Sequence, residues 1–107
     1  MPELPEVETT RRGIEPHVVG RRVRALLVHE PRLRWRVEAD LPARVAGQRV
    51  LAAGRRAKYL LLALERGTLL LHLGMSGSLR VLPADAPRDR HDHFDLVTDR
   101  GTLRLTD

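Results

Sequence analysis

From residue 22 onward, apolar side chains arrive in short runs of four to eight residues. Each run is cut off by glycine, proline or a cluster of charge. That rhythm suits strands crossing a half-buried sheet and gives no room for long amphipathic helices. Residues 58–65 (KYLLLALE) and 68–73 (TLLLHL) are the clearest pair, parted at Arg66 and Gly67, a break of hairpin length. Further strands are expected at 22–29, 49–55, 78–82, 93–98 and 102–105, the last two joined through Asp99, Arg100 and Gly101. Seven to eight short strands at regular spacing predict a mainly β, antiparallel sandwich with helices packed outside.

Only two segments read as helical. Leu4, Val7 and Ile14 share one helical face, and Pro5 suits a first turn. Glu3, Glu6 and Glu8 crowd the positive end of the dipole, Arg11 and Arg12 sit towards the negative end, and Gly13 and Pro16 are expected to stop the helix. A short second helix is expected over 40–46, capped by Asp40 with Pro42 at its start. Loops are expected at 31–36 and 83–90.

At 107 residues the chain is one domain at most, and 42% hydrophobic content lets it build a core. It contains no cysteine, which excludes disulfides, thiol nucleophiles and thiolate metal sites. No run of 18 apolar residues is present, and the acidic start MPELPEVETT is unlike a signal peptide, so a cytoplasmic location is expected. The net charge of +5 favours contact with nucleic acid, since neutralised phosphates release counterions.

Several residues could carry chemistry. Removal of Met1 would expose Pro2 as a secondary amine. An α-amino group titrates near neutrality and is therefore partly a free nucleophile. Glu3 beside it is placed for proton transfer. Lys58 is the sole lysine among eighteen arginines, and lysine can lose a proton where arginine cannot. His72 interrupts an apolar strand and is expected on the face of Leu70, away from Leu71 and Leu73. Met75 lies in the small-residue turn Gly74-Met75-Ser76-Gly77, where a thioether can fill a core or wedge into a base stack. His91, His93 and Asp95 alternate on one strand face. With His72 as third ligand, His91 and His93 could bind zinc or iron, or the histidines could meet phosphate with Asp92 and Asp95 orienting them.

Taken together, MPELPEVET, RRAKYLLL, HLGMSGSLR and HDHFDLV closely resemble, in order and spacing, the formamidopyrimidine-DNA glycosylases, a bacterial base-excision-repair family that includes the endonuclease VIII enzymes. The resemblance covers nearly the whole chain and leans to the 8-oxoguanine branch. It implies a β-sandwich flanked by helices and a bifunctional glycosylase and AP lyase acting on double-stranded DNA with oxidised purines or abasic sites. It implies that Pro2 attacks the sugar C1′ and forms a Schiff base, with β,δ-elimination to follow. Glu3 would donate a proton to the opening sugar, and Lys58 would serve β-elimination and touch phosphate. His72 and His91 would contact DNA, and Met75 would fill the gap left by the flipped base. The metal reading of the histidines weakens accordingly.

The resemblance also implies a longer parent protein, monomeric, about two and a half times this length. Residues 1–107 would be its N-terminal catalytic domain. The helix–two-turn–helix element and the four-cysteine zinc finger of the family would lie outside this chain, which by itself would need no cofactor. On that expectation the 107 residues alone would be inactive or very weak. The alternative is a truncated paralogue, a β-domain that binds nucleic acid without catalysis.

Overall fold

The computed structural model of the chain describes residues 4–29, 38–73, 77–89 and 92–106. The expected loop at 31–36 lies outside them. Helix α1 (Leu4–Val18) is followed by strand β1 (Val23–Val28) and helix α2 (Leu41–Val45). Six strands then complete the chain: β2 (Val50–Arg56), β3 (Tyr59–Leu64), β4 (Gly67–His72), β5 (Ser78–Leu82), β6 (Asp92–Thr98) and β7 (Thr102–Thr106). All seven expected strands form, each boundary within one residue of its expected place. They make two antiparallel sheets, one ordered β1-β6-β7-β5 and the other β2-β3-β4.

The apolar runs explain the layers. Along β3, Leu60, Leu62 and Leu64 are buried while Tyr59, Leu61 and Ala63 are less so, a strand with one face in the core. Leu96 and Leu103 of the other sheet are equally buried. Each such side chain contributes about 1.5–3 kcal/mol on leaving water. Val7, Ile14 and Val18 add the buried stripe of α1 to the same cluster.

That stripe overrides the expected stop signals. Helix α1 runs through both Gly13 and Pro16 to Val18. Ending it at Gly13 would forfeit the burial of Ile14 and Val18, which together offset a proline cost of about 3 kcal/mol. Gly20, at φ +84°, ends the helix instead, and its N–H donates to Val50 O at 2.7 Å. Helix α2 departs from expectation at its cap. Asp40 sits at the N-cap but makes no side-chain cap hydrogen bond, and its carboxylate lies 3.2 Å from Arg44 Nε.

The β3–β4 turn also falls one residue earlier than expected. Leu64 stands opposite Gly67, so Glu65 and Arg66 form the turn, with Gly67 at φ +100°. Gln48 is buried beside this turn; its Oε1 accepts from Arg66 N at 2.7 Å and its Nε2 donates to Arg44 O at 2.6 Å.

Candidate functional site

Three registers determine which end of the sandwich collects the candidate residues. Along α1, Glu8 meets Arg55, Arg11 meets Ala53, and Gly20, just past the helix, meets Val50. Helix α1 therefore runs antiparallel to β2, and its start lies at the end of β2 that leads into Ala57 and Lys58. Within the second sheet Tyr59 stands opposite His72, which brings the end of β4 to that same end. Across to the other sheet, a Cβ added at Gly77 would stand 2.0 Å from Leu73 O, so the chain returns at close quarters into β5. Ser78 pairs with Thr106, and Thr106 with Asp92. The start of α1, the Lys58 turn, His72, and the first residues of β5 and β6 thus share one rim of the molecule.

Of the six residues given roles by the family resemblance, Lys58 and His72 lie within the described structure. Pro2, Glu3, Met75 and His91 lie outside the described residues. The flanking elements bring their neighbours in sequence, Leu4, Leu73, Gly77 and Asp92, to the rim.

Lys58 is half-buried in the two-residue turn between β2 and β3. Ala57 before it adopts φ +52°, a left-handed conformation uncommon outside glycine. Arg55 Nη1 donates to Ala57 O at 2.9 Å and so buttresses the turn from within β2. His72 lies on the outward face with the exposed Leu70, while Leu71 and Leu73 are buried, as expected. Its ring packs at a tilt against Tyr59, centroids 5.0 Å apart.

Glu8 links helix and turn. It accepts from Arg11 Nε at 2.9 Å and Nη2 at 2.8 Å, from Arg12 Nε at 2.9 Å and from Arg55 Nε at 3.3 Å. The Arg11 hydrogen bonds, with smaller help from Arg12 and Arg55, lower its carboxyl pKa to about 2. Arg11 Nη1 also donates to Ala53 O at 3.2 Å. Sequence reading placed Glu8 only as a dipole complement; the spacing to Arg11 and Arg12 signalled the helical pairs, but nothing local signalled Arg55.

A second buried network supports β6. Arg104 of β7 donates to Asp95 through Nε at 2.8 Å and Nη2 at 3.0 Å, and to the carbonyls of Pro87 and Ala86 at 2.7 and 3.0 Å. Asp92 accepts from Asp89 N at 2.6 Å and Thr106 Oγ1 at 2.8 Å, and lies 3.3 Å from Arg104 Nη1. His29 Nε2 lies 3.4 Å from Asp95 Oδ2. Burial pushes both carboxyl groups up in pKa, but their hydrogen bonds and Arg104 outweigh it, leaving both below the usual range. Of the two aspartates expected to orient histidines, Asp95 grips Arg104 and Asp92 holds Asp89 N and Thr106 Oγ1 with Arg104 beside it; sequence reading did not single out Arg104. Among the described residues no group of three or more metal-ligating side chains occurs.

The structure is an antiparallel β-sandwich domain with helices packed outside it. The chain belongs to the formamidopyrimidine-DNA glycosylase family: residues 1–107 match the formamidopyrimidine-DNA glycosylase N-terminal domain. It is 63% identical to the formamidopyrimidine-DNA glycosylase of Thioalkalivibrio sulfidiphilus (strain HL-EbGR7) and 59% to that of Stutzerimonas stutzeri (strain A1501), in each case over 108 aligned residues. Those alignments cover all of this chain and 40% of each relative. The fold is similar to that of the Lactococcus lactis enzyme bound non-covalently to DNA containing an AP site, with TM-score 0.90 and 35% identity, covering 99% of this chain and 41% of that one. It is likewise similar to the same enzyme in complex with DNA containing FAPY-dG, with TM-score 0.89 and 36% identity, covering 98% and 40%. The chain thus spans about two fifths of the length of the relatives it matches.

Proposed function

We propose that the chain is the catalytic, DNA-binding domain of a bifunctional glycosylase and AP lyase for oxidised purines. The observation that carries this reading is the convergence of the start of α1, the Lys58 turn and His72 on one rim. With Met1 removed, the Pro2 amine attacks C1′ of the damaged nucleotide. The bond from C1′ to the base breaks, the base leaves with its electron pair and the amine loses its proton; when the C1′–O4′ bond then breaks, O4′ takes up a proton and an iminium remains. Glu3 supplies the proton that opens the sugar ring, and Lys58 contacts the neighbouring phosphate and moves protons during the elimination steps. His72 and His91 hold backbone phosphate, and Met75 fills the vacated stack.

The partner is duplex DNA carrying oxidised purines or abasic sites. Full-length relatives would contribute the remaining phosphate contacts, so the 107 residues alone bind DNA weakly and excise slowly. Each lost contact lowers affinity further at physiological salt.

Intact mass after incubation with an abasic-site duplex and borohydride tests the chemistry. A chain lacking Met1 and carrying one reduced DNA adduct, located on Pro2 by peptide mass, supports the reading. An adduct located on Lys58 instead would overturn the assignment of the nucleophile.

A further inference from the structure

The opposite end of the sandwich holds a cleft of about 220 Å³ between the end of α1 and the β6–β7 turn. Its lining includes His17, Arg21, Thr98, Arg100, Thr102 and Leu103, with no carboxylate among the described residues that line it. Two hydrogen-bonding atoms of these lining residues are buried and without a hydrogen-bond partner among the described residues: Arg21 Nε and Thr102 Oγ1. Thr102 is only 3% exposed. Native interiors leave few polar atoms in this state, so a pair of them on one cleft requires an explanation.

The neighbouring groups are already satisfied. Thr98 Oγ1 donates to Gly101 O at 3.1 Å and accepts from Arg100 N at 3.2 Å. The last carbonyls of α1 are also engaged, Glu15 O by Val19 N and Val18 O by Arg21 N, each at 3.1 Å. What remains is two orphan hydrogen-bonding atoms, capable of donating together, one of them on Arg21, with His17 and Arg100 beside them.

We propose that this cleft is a second anion site, selecting a phosphate group. Its volume lies below the roughly 300–1,000 Å³ of pockets for drug-sized ligands, so the occupant is a small oxyanion or the phosphate of a larger molecule. Arg21 Nε and Thr102 Oγ1 each donate to one of its oxygens, and the Arg100 guanidinium supplies surrounding charge. The fifteen residues of α1 span about 22 Å, which separates this site from the Lys58 rim. The inference does not depend on the chemistry proposed for that rim.

The test is amide chemical-shift titration of the chain with inorganic phosphate, against chloride at matched ionic strength, alongside thermal denaturation. Phosphate is expected to shift the amides of Val18–Arg22 and Arg100–Leu103 saturably and to raise the denaturation midpoint. Thr102→Val keeps the shape and removes the hydroxyl; Arg21→Met keeps the stem and removes Nε. Each folded variant is expected to lose roughly tenfold or more in phosphate affinity. Displacement of phosphate from these amides by a short DNA duplex would assign the phosphate to nucleic acid; binding of both at once would assign it to a free ligand. Shifts that fail to saturate, match those in chloride, or persist unchanged in both variants would mean an adventitious ion only and overturn the proposal.

Discussion

Glu8 and Arg55 are 47 residues apart in sequence and 3.3 Å apart in the fold. Through Arg55, the helix that begins beside the proposed nucleophile is joined to Ala57 O, the carbonyl next to Lys58. One ionic relay therefore ties two of the proposed catalytic segments together.

Replacing Glu8 with Gln should weaken this tie in a pH-dependent way. The Glu8 pKa falls on folding from 4.5 to about 2, so its contribution is fully present above 4.5 and disappears as pH falls towards 2. Urea denaturation across that window should show wild type ahead of Glu8→Gln at neutral pH and the gap closing in acid. A gap independent of pH would contradict the assignment.

Arg104 is buried between two carboxylates, and Arg104→Met would leave Asp92 and Asp95 without their cation. Breaking a buried ion pair in this way should cost about 3–5 kcal/mol at neutral pH. Protonating the stranded aspartates should narrow the deficit in mild acid. Denaturant titrations of both proteins at two pH values measure it.

Gly77 and Gly54 make a matched pair. A methyl at Gly77 would run into Leu73 O, whereas one at Gly54 would meet nothing within 4 Å. Gly77→Ala should lose about 1–3 kcal/mol, and Gly54→Ala should be neutral or gain up to about 1 kcal/mol. Equal effects in thermal denaturation would argue against the close return from β4 to β5.

Ala57 holds φ +52° without being glycine. Relief of its left-handed strain, about 1–2 kcal/mol, competes with the roughly 0.5–1 kcal/mol of extra chain entropy glycine brings to the unfolded state. Ala57→Gly should therefore stabilise the fold slightly. If the strain also sets the direction of Lys58, borohydride trapping should slow in the same variant.

For DNA contact, Lys58→Ala should weaken binding to an abasic-site duplex and reduce the slope of log affinity against log salt by about 1. His72→Ala, at neutral pH, should change that slope less than Lys58→Ala. Fluorescence anisotropy at several salt concentrations separates the two.

The strands were legible because alternation along KYLLLALE and its neighbours is a local signal, and burial of Leu60, Leu62 and Leu64 follows it residue by residue. The end of α1 was not, because Gly13 and Pro16 are local stop signals overruled by the tertiary burial of Ile14 and Val18. Lys58 and His72 stood out chemically, one as a lone lysine and the other as a polar break in an apolar run. Glu8–Arg55 and Arg104–Asp95 did not, since ion pairs across elements leave no spacing in the sequence. Thr102 gave no signal at all: a threonine in a strand is ordinary until its hydroxyl proves to be buried.

The Lys58 turn has one further consequence. Lys58 is the only lysine among the 107 residues, and the β2–β3 turn places it on the rim shared with the start of α1. All eighteen other strong bases are guanidinium groups, which stay protonated. Among the side chains of these 107 residues, an acylating reagent, or an aldehyde with a hydride donor, therefore marks Lys58. Protection of Lys58 by a bound duplex, read as mass, would footprint the proposed DNA-facing rim without a single engineered substitution.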